Sequence, residues 1–292
     1  MPVFDEYYVD SSDCVNRVRT CKWMPEGKPR AVLQLVHGIT ENMEQYDALA
    51  RFFAEKGFAV VGNDHLGHGR TCVNDEDRLF FADGLGWFLV LEDMHRLCER
   101  TKEELGDIPY FMLGHSLGSF LARTFLINYP GEVSGCILTG TGQQSPALCG
   151  LGLIAAAFET LRLGNRGRSK WLNRQCFGSY NVNINERPGM ERFSLPTNAL
   201  VRDMLGGIRY IQKRSNLALM DKSTPVLFLS GENDAVGGFG KGVEKAEGSF
   251  RSAGCSDVTV QLLPDTPHKL FGEGESREKA FKAVFEWLES KI

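Results

Sequence analysis

The sequence has no excess of basic residues, no paired-cysteine motif and no long unbroken apolar run, and each absence removes a class of function. Its 33 lysines and arginines are outnumbered by 37 aspartates and glutamates, for a formal net charge of −4. Binding to nucleic acid needs a basic footprint that neutralises phosphates, so nucleic acid is not expected as a partner. Eight cysteines are scattered through 292 residues, and no two stand at the C-x-x-C spacing of a zinc site or a thioredoxin-type centre. They read as reduced thiols, several of them buried, and no metal or organic cofactor is expected. No stretch of about 18 apolar residues is present. The longest apolar-rich segment, 149–158, is too short to cross a bilayer, so no membrane-spanning helix is expected. The opening Met1-Pro2-Val3-Phe4-Asp5-Glu6 lacks the basic start and apolar core of a secretory leader, which makes the cytoplasm the expected location. Internal repeats and low-complexity tracts are also missing.

What is present is an alternation of short apolar strands with longer amphipathic helices. Segments 15–23 and 31–36 read as an early pair of strands turned at Pro25-Glu26-Gly27. Further strands are predicted at 58–62, 110–113, 135–139, 226–230 and 258–263. Helices are predicted at 44–56, 86–105, 117–129, 238–253 and 276–290. Strands separated by helices predict an α/β fold with a mostly parallel central sheet covered by helices on both faces. From 141 to 222 no clear buried strand appears, and a helix is predicted at 199–213. That stretch is too long for a loop, so it is read as a helical cap, 142–222, inserted between two parts of the core, 1–141 and 223–292. Within it, 148–163 is expected to pack a helix on the core. The alternative is an apolar face turned to lipid or substrate, with Arg162, Arg166, Arg168 and Lys170 near headgroups. Cys149 and Cys176 are expected to be incidental there.

The chemistry starts at Gly114-His115-Ser116-Leu117-Gly118, a G-x-S-x-G sequence between the apolar run 110–113 and a helical segment. Glycines on either side let the chain turn sharply between strand and helix, which leaves the serine hydroxyl exposed. Such a serine is inert without a base. Of six histidines, only His268 follows Ser116, and it stands after the strand at 258–263. In the order serine, acid, histidine, the acid lies between them at another strand end. Asp234 follows the strand at 226–230 and is chosen, with Glu232 as its rival. Asp203, Asp221, Asp257 and Asp265 read as solvated surface charges. The backbone N–H groups of Leu117 and Ile39 are the expected oxyanion donors, with His37, Gly38 and Glu41 supporting the loop. Glu41 is expected to order that loop by hydrogen bonding. Asp64, His65 and His68 lack a third nearby histidine, so they read as a turn that organises the loop beside the site, not as a metal centre. His115 is expected to point away from Ser116, and His95 to be a surface or packing residue.

These residues resemble the α/β-hydrolase superfamily and, within it, the monoacylglycerol lipase and lysophospholipase-like group related to the serine aminopeptidase S33 family. The resemblance is carried by His37-Gly38-Ile39-Thr40-Glu41, by Asp64-His65-Leu66-Gly67-His68-Gly69-Arg70, by the G-x-S-x-G pentapeptide, and by Ser230-Gly231-Glu232-Asn233-Asp234 paired with Pro267-His268. The chain departs from the group at Asn42, where histidine is usual, at Thr71, where serine is usual, and at Lys269, where an acidic residue is common. The resemblance implies a cap that shapes an acyl-chain pocket and a serine esterase acting on lipid monoesters such as monoacylglycerols or lysophospholipids. The apolar face and basic residues of the cap, in the alternative reading of 148–163, would allow transient contact with a membrane surface. Two alternatives stand beside the esterase. An aminopeptidase or amidase would need acidic anchors such as Glu159, Glu186 or Glu191, outside the basic stretch 162–174. A ligand-binding member of the fold would need no triad.

Overall fold

A computed structural model describes residues 1–178 and 195–292. The first strands are β1 (Val3–Asp10), β2 (Arg17–Met24) and β3 (Ala31–Val36), followed by helix α1 (Asp47–Glu55) and β4 (Phe58–Asn63). Helix α2 (Gly86–Leu105), β5 (Tyr110–His115), α3 (Leu117–Asn128) and β6 (Gly135–Thr139) complete the first part. Among the described residues, helices α4 (Pro146–Leu163), α5 (Lys170–Phe177), α6 (Asn198–Gln212) and α7 (Arg214–Leu217) come next. The chain then returns to the sheet as β7 (Val226–Gly231), α8 (Lys241–Ser252), β8 (Val258–Leu263) and α9 (Glu275–Glu289).

One eight-stranded sheet has the order β1-β2-β4-β3-β5-β6-β7-β8. Strands β3 to β8 run parallel, and β1 and β2 are antiparallel additions at one edge. Every residue of β3, β4, β5, β6 and β7 is buried, as sequences with apolar side chains on both faces require. On one face Leu33, Leu35, Phe111 and Leu227 pack with Phe53 of α1 and Val284 and Trp287 of α9. On the other, Val32, Met112 and Phe228 pack with Met94 of α2, Leu121 and Phe125 of α3 and Phe250 of α8. Parallel strands of this kind present their carboxyl ends on one edge, where ligands gather.

Two sequence expectations fail here. β2 and β3 are not paired: β2 lies against β4 with Cys21 opposite Gly62, and β3 is held between β4 and β5. The two edges of β3 are filled by parallel partners, and none is left for β2. β1 was not foreseen, because its half-exposed, acidic sequence lacks the apolar run of a central strand.

The expected absence of a helix long enough to span a membrane also fails. Helix α4 has 18 residues and, by length and composition alone, could cross one. The apolar run 149–158 is only its middle, and it is interrupted by no charge before Glu159 and Arg162. In the fold α4 lies across α6, where Gly152 lets the helices approach so closely that a Cβ there would sit 2.9 Å from Leu205. A small apolar centre of Ala156, Leu172, Val201 and Leu205 joins α4, α5 and α6. Among the described residues nothing covers the outer side of α4, where Ile154, Phe158 and Leu161 are each 60–88% exposed. Packing on the core therefore describes only one side of this helix.

Candidate active site

Ser116 stands between β5 and α3 with φ 53° and ψ −119°, a strained conformation for a residue with a Cβ. The turn is enforced by close backbone packing. A Cβ at Gly118 would lie 2.0 Å from Val36 O, and one at Gly114 would lie 2.4 Å from Gly118 O. Only glycine permits the nucleophile turn to seat against β3.

The Ser116 Oγ lies 3.0 Å from Nε2 of His268, and His268 Nδ1 lies 2.8 Å from Oδ1 of Asp234. Residues 152 positions apart in sequence are thus brought into one hydrogen-bonded line. Asp234 is fully buried, whereas Glu232, its rival, faces solvent. Asp234 Oδ1 also accepts the Val236 N–H at 2.8 Å, and Oδ2 accepts the Ser230 hydroxyl at 3.2 Å. Burial alone would raise this carboxyl, but the His268 hydrogen bond and charge, with N–H donors from Gly237 and Val236, hold it below the usual range. A carboxylate fixed in this way keeps the His268 proton on Nδ1 and leaves Nε2 free to accept from Ser116.

The N–H of Leu117 opens α3, where helix geometry leaves it without an intrahelical acceptor. Ile39 N–H belongs to the loop after β3, and among the described residues it has no protein acceptor. The Gly38–Ile39 peptide that carries it is clamped. His37 Nδ1 donates to Gly38 O at 2.8 Å, and His37 Nε2 accepts the His65 N–H at 3.0 Å, which fixes the tautomer. Glu41 Oε2 accepts both Gly38 N–H at 2.7 Å and the Tyr46 hydroxyl at 2.6 Å. His68 reaches Ile39 O with Nε2 at 2.7 Å.

The Asp64–Thr71 turn braces this loop from below. Asp64 accepts N–H groups from Met43 and Arg70 at 2.7 and 2.9 Å and pairs with the buried Arg19 guanidinium at 3.2 Å. Thr71 donates to Asp64 O at 2.8 Å and accepts the Arg19 N–H at 2.9 Å, so a hydroxyl is what this position needs. Among the described residues no group of side chains is arranged to hold a metal ion. Burial pushes the His37, His65 and His68 rings below their ordinary value of 6.5, His68 to about 4.

His115 does turn from Ser116: its Nδ1 meets Thr139 Oγ1 at 3.0 Å. Even so, its ring lies 5.0 Å from that of His268, and burial pushes its pKa down to about 4. His95 stacks on Tyr129 with ring centroids 3.7 Å apart. Asp203 is not a solvated surface charge. It is half-buried on α6, with the side chain only 9% exposed against Gly86 at the start of α2, and desolvation pushes its carboxyl up to about 6. Glu186 and Glu191 lie outside the described residues. Three basic side chains of the cap are engaged locally, Arg162 with Glu159 at 2.6 Å, Arg166 with Asp77, and Arg168 with backbone carbonyls of Glu76, Arg78 and Leu195.

Above Ser116 opens a cavity of about 1270 Å³. Its cap side is apolar, formed by Leu148, Leu151, Met204, Leu205 and Ile208 with Phe120 from α3. Cys149 and Cys176 line it as well, so they belong to the pocket wall. Leu148, Cys149 and Leu151 fall in the segment whose alternative reading is an apolar face turned to lipid or substrate, whereas Phe120, Cys176, Met204, Leu205 and Ile208 carry no such expectation. Single apolar side chains carry no spacing signal that separates a pocket wall from a core.

The comparisons with known proteins agree with this architecture. A monoacylglycerol lipase of Mycolicibacterium smegmatis is 26% identical over 92% of this chain and 92% of its own length. The monoglyceride lipase of Homo sapiens is 28% identical over 40% of this chain and 36% of its own. Among solved structures, a thermostable carboxyl esterase from Bacillus coagulans superposes with a TM-score of 0.86 at 23% identity over 99% of both chains. A soluble variant of the Saccharomyces cerevisiae monoglyceride lipase, solved with a substrate analog, does so with a TM-score of 0.74 at 17% identity over 100% of this chain and 97% of its own. The fold is that of the α/β-hydrolases. The sequence pattern of the serine aminopeptidase S33 family runs through residues 27–275, from just before the strand behind His37 to beyond His268, and the chain belongs to that family.

Proposed function

We propose that this chain hydrolyses carboxylic esters of lipids, monoacylglycerols or lysophospholipids, through an acyl-enzyme on Ser116. The observation that carries the reading is the Ser116–His268–Asp234 line, with contacts of 3.0 and 2.8 Å, opening into a cavity whose cap side is apolar. His268 Nε2 takes the Ser116 proton as Oγ attacks the ester carbonyl. The Ile39 and Leu117 N–H groups meet the negative charge that develops on the carbonyl oxygen, and each such donor contributes about 3–4 kcal/mol in the transition state. The imidazolium, held by Asp234, returns its proton to the leaving alcohol. A water activated by the same nitrogen then releases the fatty acid.

An amide substrate with a free amine would need an uncommitted carboxylate in the cavity. Among the described residues of the cavity, Glu41 is occupied by Gly38 N–H and Tyr46, and Glu44 by Arg70 at 2.5 Å, which supports esters over such amides. The exposed apolar side of α4 fits transient contact with a lipid surface, from which a monoester would be drawn. All eight cysteines are free, which fits a reducing compartment.

The test is turnover of monooleoylglycerol, oleoyl lysophosphatidylcholine and p-nitrophenyl esters against amino-acid p-nitroanilides, with fluorophosphonate labelling of wild type and Ser116→Ala. Ester turnover and labelling, both lost in the variant, are expected. Turnover of the anilides alone would sink the lipid reading. Serine replacements of Ile154, Phe158 and Leu161 are expected to weaken flotation with phosphatidylcholine vesicles while hydrolysis of a short soluble ester persists.

A further inference from the structure

We propose that the leaving-group side of the cavity binds a phosphate and that Lys269 is the residue that recognises it, so that lysophospholipids are preferred to neutral monoacylglycerols. The inference rests on the lipid-esterase reading above and deepens it. Its starting point is a constraint of the mechanism. The leaving alcohol takes its proton from His268 Nε2, so it must lie on the His268 side of Ser116. The acyl chain has the apolar wall of the cap.

Lys269 follows His268 directly and lines the same cavity. Its ammonium forms no ion pair among the described residues, whereas Arg70 of the same cavity is held by Glu6 at 3.1 Å and Glu44 at 2.5 Å. Arg78 contacts Asp75 at 3.4 Å through an outer nitrogen, and its Nε has no partner among the described residues, but it does not adjoin His268. Among the described residues the cavity's carboxylates, Glu44 and Glu41, are occupied by Arg70 and by the oxyanion loop. Lys269 is therefore an uncommitted positive charge next to His268, in a protein whose net charge is −4. Its field reaches the inner site, since Lys269 opposes protonation of His115, whose ring is 5.0 Å from that of His268. The stem of Lys269 lies over Gly272, where an added Cβ would touch it at 3.7 Å, so no side chain competes for its place.

The two lipid classes differ here. Both break the ester C–O bond to the same fatty acid, but the departing alcohol is neutral glycerol in one and carries a phosphate, one glycerol unit from the reacting oxygen, in the other. Lysine is an effective point-charge partner for phosphate. Because Lys269 is exposed, the contribution is a preference of several-fold and not an absolute gate.

The experiment uses the full chain with 1-oleoylglycerol and 1-oleoyl lysophosphatidate in the same neutral detergent micelles. The ratio of their kcat/KM values, phosphate over neutral, is expected to fall about fivefold to tenfold in Lys269→Gln and further in Lys269→Glu. In wild type the same ratio narrows as salt rises from about 50 to about 500 mM. Lys282→Gln, an exposed cation on α9, leaves the ratio in place. Glycerol 3-phosphate inhibits p-nitrophenyl octanoate hydrolysis more than inorganic phosphate does; equal inhibition by the bare anion would overturn the subsite. An unchanged ratio in both Lys269 variants, or parallel losses on both lipids, overturns the proposal and leaves the esterase standing. Cleavage of p-nitrophenyl octanoate with neither lipid hydrolysed overturns the lipid reading, and the subsite with it.

Discussion

Acidification from pH 7 to pH 5 is expected to cost this protein about 3 kcal/mol of stability through groups around the active site. His68 and His115 are 3% and 2% exposed, and burial lowers both pKa values from 6.5 to about 4. A base whose folded pKa lies below its unfolded value contributes stability while neutral, and that stability is lost as pH falls from 6.5 toward 4. Linkage gives each ring a loss of about 2 kcal/mol between pH 7 and pH 5, or about 4 kcal/mol for the pair. Asp203 acts with the opposite sign. Its carboxyl is raised from 3.8 to about 6, so the folded state binds the extra proton and regains about 1 kcal/mol over the same interval. His37 and His65 are displaced in the same direction as His68 and add to the loss. Asp234 and Glu41 are held low, so their stabilisation is lost only as pH falls below about 4.5, outside this window.

A net loss of this size is a large share of the roughly 5–15 kcal/mol that holds a typical domain together. Urea unfolding at constant ionic strength, followed by fluorescence at half-unit steps from pH 7 to pH 5, measures it as a falling midpoint. His115→Gln keeps a partner for Thr139 but has no proton to gain, and it should remove about 2 kcal/mol of the pH dependence. A midpoint that stays level to pH 5, or a variant with the wild-type slope, refutes the reasoning.

Three further outcomes are expected. Ser116→Gly releases the positive-φ strain at the nucleophile, so a thermal melt should show an inactive protein more stable by roughly 1 kcal/mol; a lower Tm would show that the turn is not strained. Asp234→Asn leaves the fold in place but favours the wrong His268 tautomer, and kcat should fall by roughly 10⁴-fold with little change in KM; a loss confined to KM would count against the triad. Gly38→Ala places a Cβ 2.8 Å from Glu41 Oε2 and 3.3 Å from Ser116 Cβ. It should lower kcat by about 10- to 100-fold through a displaced Ile39 donor, and unchanged steady-state kinetics would argue against that role.

Much of the candidate site was legible in the sequence because the chemistry proposed for it leaves few alternatives. A strained serine needs glycines on either side, and the packing distances at Gly114 and Gly118 show why. His268, the proposed base, could be placed because one histidine follows Ser116, and Asp234, the proposed acid, because β7 ends just before it. Asp234 is distinguished from Glu232 by the turn after Gly231, where the Asp234 N–H returns to Gly231 O and carries residue 234 inward. That two-residue difference depends on backbone direction, which composition does not encode. The pairing of β2 was misread for a similar reason. Adjacency in sequence suggested a hairpin, but the demand of β3 for a parallel partner on each edge decided the order.

The cap was harder because its requirement is looser. An acyl chain needs apolar surface of adequate volume, and Leu, Met, Ile, Phe and Cys all supply it without fixed spacing. Helix α4 shows the ambiguity directly. Its apolar content is the same whether it packs, spans or lies at a surface, and only its position on α6, with Gly152 inward and Ile154, Phe158 and Leu161 outward, distinguishes these. Substrate preference is therefore better sought where the walls carry charge than where they carry carbon. In this cavity Lys269 has no ion-pair partner among the described residues, and it follows directly on His268, the histidine proposed to protonate the leaving group.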